Sequence, residues 1–497
     1  MGTSDLIMVM SACDNFDSDQ GLCARFQAHY DQPSPTTMKH LSPELLQRYD
    51  VPGPRYTSYP TADRFVEAFG EQDYLQALNQ RRQGVASRRL PLSLYVHIPF
   101  CKSLCYYCAC NKIITKHHDK AVTYLDYLER EIALHIDQIG KGHSVSQLHL
   151  GGGSPTFLND AELERLLRVL RESFSFVPGG EYSIEIDPRT VTRQRLEHLH
   201  RLGFNRLSFG VQDFEPAVQA AVHRIQPAEQ VFNLVAASRE IGFESVNVDL
   251  IYGLPMQNQH TFARTLQQVC KLRPDRIALY AYAHLPERFK PQRRIDAHQL
   301  PSGADKVGML LDALAVLMEA GYVYVGMDHF ALPDDALSVA KRQGRLHRNF
   351  QGYSTQPDCD LIALGVSSIG RVGATYSQNA KTLEEYYDLL DQGRFPVVRG
   401  LALSRDDIVR RSIIMAIMCQ GAVQFESIEL AHLVHFKSAF AAELERLEPL
   451  QAQGLVVVEE GGIQVTEMGW FFVRGIAMVF DRYLQADRDR ARFSKII

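Results

Sequence analysis

Four of the nine cysteines fall within ten residues, in the segment Leu94-Tyr-Val-His-Ile-Pro-Phe-Cys101-Lys-Ser-Leu-Cys105-Tyr-Tyr-Cys108-Ala-Cys110. The first three have the spacing C-x3-C-x2-C, which gathers three thiolates on one short loop. Thiolates are the ligands of iron–sulfur clusters, and a 4Fe–4S cube usually takes four. A loop offering three can leave the fourth iron open to a small chelating ligand. The alternative is structural zinc, which wants four ligands, commonly as two separated pairs. No second CxxC and no HxxxH follows; His117 and His118 are near and would serve equally as a solvated helix start. Cys110 is a possible fourth ligand. Two cysteines one residue apart seldom both reach a cube from a tight loop, so Cys101, Cys105 and Cys108 are the expected metal ligands. The other five cysteines, at 13, 23, 270, 359 and 419, are expected to be buried small hydrophobes. So uneven a spread speaks for a reducing compartment and against a disulfide scaffold.

These residues need a frame. From residue 92 short β-rich runs (Leu94–Ile98, Val145–Leu150, Tyr182–Ile186, Arg206–Gly210, Ser245–Leu250 and Arg276–Tyr282) alternate with amphipathic helices such as Ala161–Phe174 and Ala228–Ile241. That alternation predicts a parallel sheet, as an incomplete barrel or an open doubly wound sheet. Glycines, polar residues or a small alanine stand at the strand ends: Gly151-Gly152-Gly153 after the second run, Glu185 in the third, Gln212 after the fourth, Asp249 in the fifth and Ala283 after the sixth. Chemistry on a βα barrel collects at the C-terminal ends of its strands. A lone triple glycine is more often a turn and a lone acid a solvated cap, but five such ends beside a thiolate loop form a pattern.

The remaining chain is ordinary. Its 497 residues are 45% hydrophobic and 22% charged, with net charge −5, so neither nucleic acid nor a membrane surface is expected as the main partner. No apolar run approaches the ~18 residues of a membrane span. Leu6–Ala12 before Cys13 faintly resembles a lipoprotein cleavage site, but the stretch is short and begins at Asp5; a cytoplasmic location is expected. Residues 1–37 read as a disordered lead, dispensable, with Met38 a possible initiator. Leu41, Leu45, Leu46 and Tyr49 mark a short helix that Ser42 could cap, and Val51–Pro60 is too proline-rich for helix or central strand. The expected divisions are 1–37, 38–90, a barrel with extensions over 91–394, and a mainly helical domain over 395–497. In the last, Asp406–Met418, Ile428–Leu450 and Glu467 to about Leu484 read as helices. A strand pair, Gly454–Val458 and Ile463–Thr466, suggests a winged-helix-like unit.

C-x3-C-x2-C after a first strand is the signature of the radical S-adenosylmethionine (SAM) superfamily. Longer motifs narrow the match: Gly53-Pro-Arg-Tyr-Thr-Ser-Tyr-Pro60, Val96-His-Ile-Pro-Phe-Cys101 with the additional Cys110, and His149-Leu-Gly-Gly-Gly-Ser-Pro-Thr156. They continue with Ile184-Glu-Ile-Asp-Pro-Arg189, Gly210-Val-Gln-Asp-Phe214, Asp249-Leu-Ile-Tyr-Gly-Leu-Pro255, Gly326-Met-Asp-His-Phe330 and His347-Arg-Asn-Phe-Gln-Gly-Tyr353. From about residue 38 to the closing Arg492-Phe-Ser-Lys-Ile-Ile the chain closely resembles the bacterial oxygen-independent coproporphyrinogen III oxidase family.

The resemblance implies an α/β fold, an incomplete (β/α)6 radical SAM barrel with a helical C-terminal domain. It implies oxidative decarboxylation of two propionates of coproporphyrinogen III to vinyl groups, giving protoporphyrinogen IX in haem synthesis. The cofactors implied are one 4Fe–4S cluster and two molecules of SAM; the electron donor and acceptor stay unidentified, and a monomer is expected. Position by position, Tyr95, Gly152, Glu185 and Ile369 would contact the cluster-bound SAM, and Tyr107, Gly153, Ser154, Gln212, Arg224, Asp249 and Ala283 the second. Members often have Phe, Thr and Gly where Tyr107, Ser154 and Ala109 stand. Glu185 and Gln351, the latter beside Phe350, are the expected catalytic residues. Arg55, Tyr56 and Tyr59 are expected to meet the porphyrinogen through a guanidinium and aromatic faces, the bland alternative being that they staple the N-terminal segment to the barrel. His97 stands open as a core histidine bonded to backbone. The competing function is a haem chaperone of the same superfamily; such relatives lack the Pro-Arg-Tyr-Thr-Ser-Tyr-Pro segment and the cysteine at 110, both present here.

Overall fold

The computed structural model describes residues 41, 43–49, 51, 53–84 and 90–486. The expected lead, the Ser42 cap and the closing Arg492–Ile497 lie outside them. Six strands, β1 (Leu92–Ile98), β2 (His143–Gly152), β3 (Phe174–Ile186), β4 (Arg206–Gln212), β5 (Ser245–Tyr252) and β6 (Arg276–Ala281), lie parallel and side by side in chain order. Between them run α1 (Asp119–Ile139), α2 (Asp160–Ser173), α3 (Arg193–Arg201), α4 (Ala228–Ile241) and α5 (Gln259–Leu272), and α6 (Gly303–Glu319) follows β6.

Local sequence accounts for these elements. In α2, Asn159 accepts from the Glu162 amide at 3.0 Å while Glu162 accepts from the Asn159 amide at 2.7 Å, a reciprocal cap that satisfies two otherwise orphaned donors. Leu163, Leu166, Leu167 and Leu170 then form its buried stripe. In β4 and β5 burial alternates residue by residue. Leu207, Phe209, Val246, Val248 and Leu250 are buried in the core. Arg206, Ser208, Asn247 and Asp249, in the other register, line an interior cavity. Period two thus gives each strand one packing face and one chemical face.

The sheet has more strands than the βα series alone supplies. β7 (Val323–Gly326) and β8 (His329–Ala331) add antiparallel strands beyond β6, and β9 (Asp360–Leu364) pairs parallel with β1 on the other side. β10 (Ile369–Val372), β11 (Thr375–Asn379) and β12 (Val397–Ala402) continue antiparallel from β9. The result is one 12-stranded sheet whose terminal strands, β12 and β7, do not pair with each other, so the barrel is incomplete. The sheet runs past residue 395, and α7 (Arg405–Gln420) follows.

The C-terminal region is mainly helical with a three-stranded sheet of Ala422–Gln424, Gly462–Val465 and Val456–Val458. The single helix expected over Ile428–Leu450 is instead three: Phe425–His432, Phe436–Ala439 and Ala441–Ala452. Leu433 takes a left-handed φ of 53°, folding the chain so that the Phe425 and Phe436 rings stack at 4.2 Å. A straight helix would hold residues eleven apart at about 16 Å. The helix expected from Glu467 to Leu484 is likewise broken, into Glu467–Trp470, Val473–Ala477, Met478–Phe480 and Arg482–Ala486. Residues 53–60 form neither helix nor strand.

Candidate active site

The cysteine loop leaves β1 and returns beside it. Ile113 N donates to Pro99 O at 2.7 Å and Thr115 N to Cys101 O at 3.0 Å, which closes the base of the loop. Within it Cys108 N donates to Cys105 O at 3.3 Å, and Lys112 Nζ donates to Cys108 O at 2.9 Å. Burial, with Cys108 and Cys105 adding to it, pushes the Cys101 thiol up to about 12. The Cys110 hydrogen bond and the Lys112 charge outweigh burial at Cys108 and hold it at about 6. Arg224 Nη1 lies 3.4 Å and Arg189 Nη2 3.6 Å from Cys105 Sγ, so two guanidinium groups flank the sulfur. Among the described residues no three His, Cys, Asp or Glu side chains converge tightly enough to hold a single metal ion. Three spaced thiols flanked by positive charge fit an anionic cluster, whose corners keep its ligands apart.

The ends of β1, β2 and β3 form one hydrogen-bonded group beside this loop. Gly152 N donates to Glu185 Oε2 at 3.2 Å, and Glu185 Oε1 lies 3.3 Å from His149 Nε2. His149 Nδ1 in turn meets Ser183 Oγ at 2.7 Å, and the Tyr95 ring stacks on His149 at 5.9 Å. His97 Nε2 lies 3.0 Å from the Asn111 carbonyl, which can only accept, so Nε2 carries the proton and Nδ1 accepts from Tyr95 OH at 3.1 Å. Burial pulls the His97 pKa down, keeping the ring neutral. Gly152 has φ +115°, and a Cβ there would sit 2.6 Å from the His97 ring; a Cβ on Gly151 would sit 2.8 Å from Glu185 Oε1. The glycines leave backbone exposed to a ligand and make room for the carboxylate.

A cavity of about 500 Å³ opens below this group. Of the expected site residues it brings together Tyr95, Gly152, Glu185, Asp249, Gln351 and Ile369, and Cys110 lines it too. Asp249 accepts from Asn247 Nδ2 at 2.8 Å and Ser208 Oγ at 3.2 Å. Burial, and after it the Glu185 charge, raises its pKa to about 6.

A second group lies off this cavity, with Arg224 also touching Cys105. Arg224 Nε donates to Gly210 O at 3.2 Å, and Arg224 Nη2 is 3.4 Å from Asp187 Oδ1. Gln212 takes φ +70°, and its amide converges with Arg224 on Gly210: a Cβ there would lie 2.9 Å from Gln212 Nε2 and 3.0 Å from Arg224 Nη2. Gln292 Nε2 joins Tyr107 O at 3.1 Å to Ala283 O at 3.2 Å. Gly153 and Ser154 bond to the root of the loop, their amides donating to Ile98 O and Phe100 O at 2.8 Å each. Of the contacts expected for a second ligand, Gln212 and Arg224 thus meet at Gly210 and Tyr107 and Ala283 share Gln292, whereas Asp249 lines the cavity with Tyr95, Gly152, Glu185 and Ile369.

Of the three expected porphyrinogen contacts, the two tyrosines are corrected. Tyr56 and Tyr59 are fully buried and reach the C-terminal region: Tyr56 OH donates to Asp481 Oδ2 at 2.9 Å, and Arg482 N donates to Tyr59 OH at 3.2 Å. Both hydroxyls and both rings are committed to packing, so the stapling alternative holds for them. Arg55 forms an ion pair with Asp328 and stacks over the cavity-lining Tyr280 at 5.0 Å. Sequence reasoning also missed residues that the cavity collects: His149, Tyr280, Arg206 and Arg276. The available signal was period two, since each sits in register with a recognised inward residue of its own strand or a neighbouring one.

The chain matches the radical SAM superfamily over residues 95–269 and the HemN C-terminal domain over residues 403–472. It is 50% identical over 453 residues to the oxygen-independent coproporphyrinogen III oxidase of Escherichia coli, covering 91% of this chain and 98% of that one. It is 48% identical over 456 residues to the Pseudomonas aeruginosa protein of the same name, with 91% and 98% covered. To that of Helicobacter pylori strain 26695 it is 43% identical over 461 residues, with 93% and 100% covered. The solved structure of coproporphyrinogen III oxidase (HemN) from Escherichia coli, described as a radical SAM enzyme, superposes with a TM-score of 0.83, covering 86% of this chain and 98% of that one.

Proposed function

The chain belongs to the family of oxygen-independent coproporphyrinogen III oxidases, and from that membership we propose how its residues divide the work. It is a radical SAM enzyme that carries out the anaerobic oxidative decarboxylation of two propionates of coproporphyrinogen III to vinyl groups, giving protoporphyrinogen IX in haem biosynthesis. A 4Fe–4S cluster and SAM serve it; when bound they supply an electron and the 5′-deoxyadenosyl radical that takes hydrogen from the propionate side chain.

The single observation carrying the division of roles is that Tyr95, Gly152, Glu185 and Ile369 line the cavity while Gln212 and Arg224 meet at Gly210 off it. Cys101, Cys105 and Cys108 hold the cluster, and Cys110, which lines the cavity, is not a ligand. Gly152 and Glu185 orient the cluster-bound SAM: the bare glycine backbone approaches its polar end, and the carboxylate accepts hydrogen bonds from it. Tyr95 and Ile369 wall the same ligand. The neutral His97 acts as a strut, coupling Tyr95 to the loop through Asn111. Tyr107, Gly153, Ser154, Gln212, Arg224, Asp249 and Ala283 hold a second SAM. Asp249, with its pKa at about 6, keeps a proton within reach at mildly acidic pH and lies on the cavity beside both groups. Gln351 offers an amide to the substrate.

The barrel with its extensions through β12 and the C-terminal helices from α7 act as two units divided near residue 403, as a monomer in the cytoplasm, fed by a separate one-electron donor and drained by an acceptor. No helix among the described residues is long and apolar enough to cross a membrane. Equilibrium binding of labelled SAM to the cluster-loaded protein tests the division. Two equivalents should bind, Glu185→Ala should weaken one and Gln212→Ala the other. A single equivalent, or both substitutions weakening the same one, would overturn it.

A further inference from the structure

The cavity also carries two cations at the starts of β4 and β6 that the roles above leave unused. Arg206 opens β4 and Arg276 opens β6, and both line the cavity. Each already has a carboxylate: Arg206 Nη2 lies 3.3 Å from Glu181, and Arg276 Nε 2.8 Å from Asp335. Donors remain to spare. Arg206 Nε and Nη1, Arg276 Nη2 and Gln351 Nε2 are buried with no hydrogen-bond partner, as is the ring nitrogen Nδ1 of His329, which lines the same cavity. Most buried polar groups find partners, and one left alone is destabilising. So many orphans on one wall call for an acceptor. The two guanidinium groups also sit close together; after burial, the Arg276 charge is the next cause pulling the Arg206 pKa down. An anion relieves both deficits, and planar forks of N–H donors match a carboxylate.

We propose that Arg206 and Arg276, with Gln351 beside them, bind a carboxylate of the porphyrinogen, that of a propionate not reacting in that turnover. This rests on the substrate assigned above. At ~3.3 Å per residue along a strand, Arg276 lies ~13 Å from Tyr280, four residues nearer the SAM side. That is comparable to the span between propionates on opposite sides of a tetrapyrrole. A ring with one propionate at the SAM end therefore delivers another to the two arginines. Held between guanidinium groups that carboxylate stays ionised and fixes the macrocycle in depth.

The test uses the cluster-loaded enzyme. Arg206→Gln and Arg276→Gln should each raise KM for coproporphyrinogen III at least tenfold while the dissociation constant for SAM stays at the wild-type value, and the two Lys variants should recover much of the loss. A folded Gln variant with wild-type KM overturns the proposal. If the Gln variants fail to fold, with Glu181 and Asp335 left unpaired, wild-type crystals soaked in bromide decide. An anomalous peak between the guanidinium groups supports the site, and water alone there overturns it. Bromide binding together with an unchanged KM in folded variants identifies a site for small inorganic anions and overturns the propionate assignment. Failure of the substrate reading itself would look different, since the wild-type enzyme would then not convert coproporphyrinogen III at all.

Discussion

Cys110 sits two residues from a proposed cluster ligand, and its hydrogen bond is the largest cause lowering the Cys108 pKa. If it serves beside the cluster and not on it, Cys110→Ser should keep most of the iron, whereas Ser at 101, 105 or 108 should abolish the cluster. Iron and sulfide analysis with the cluster's visible absorbance checks this, and complete loss in Cys110→Ser would contradict the three-ligand assignment. Asp249 supports a second prediction. Its folded pKa of about 6 exceeds the ordinary ~3.9 of an aspartate, so ionising it in the apo protein costs stability. Below pH 4 both states are protonated and the cost vanishes; it grows between pH 4 and 6 and is complete above. At 1.36 kcal/mol per unit it amounts to about 3 kcal/mol. Asp249→Asn should therefore raise the Tm of the apo protein at pH 7.5 and much less at pH 4.5, while weakening SAM binding. An equal Tm difference at both pH values would contradict it. The cysteine spacing was legible in the sequence because covalent neighbours report their own geometry. His149 was harder to find, since its importance comes from Ser183, Glu185 and Tyr95, which reach it from other strands.

Alternation of β-rich runs and helices was legible because each strand and helix follows from local periodicity; α4 has the bounds that its sequence suggests, Ala228–Ile241. Elements that depend on distant partners were not. The short strands β9 to β12 have no long periodic pattern and exist through pairing with β1 and with one another. The C-terminal helices break where Phe425 and Phe436 need to stack, which tertiary packing dictates over helix propensity. The segment at residues 53–60 is the clearest case: its Arg and Tyr content suited a large tetrapyrrole bearing carboxylates, yet burial against residues 481–482 decides what the two tyrosines do. Arg474 Nε adds a bond to Pro54 O at 2.7 Å. Tyr56→Phe should accordingly lower stability by about 1–3 kcal/mol, the range for a buried hydrogen bond to a carboxylate, in chemical denaturation, and leave KM for the porphyrinogen unchanged. A rise in KM at unchanged stability would return Tyr56 to the substrate site.

For the molecule as a whole, the incomplete sheet encloses a cavity that strand alternation lines with polar side chains, and it places the cysteine loop at the cavity's upper end. That arrangement is built from residues 90–486 and the staple at 53–60, so residues 1–37 are expected to be dispensable. Their deletion should leave melting temperature and turnover unchanged, and a loss of either would give that segment a role. The central claim is the reaction itself. Purified enzyme with its cluster reconstituted, incubated without oxygen with coproporphyrinogen III, SAM, a one-electron reductant and an electron acceptor, should yield protoporphyrinogen IX, read as protoporphyrin after oxidation, together with 5′-deoxyadenosine and methionine. A brown, cluster-loaded protein that cleaves SAM yet leaves all four propionates of coproporphyrinogen III intact would contradict the account.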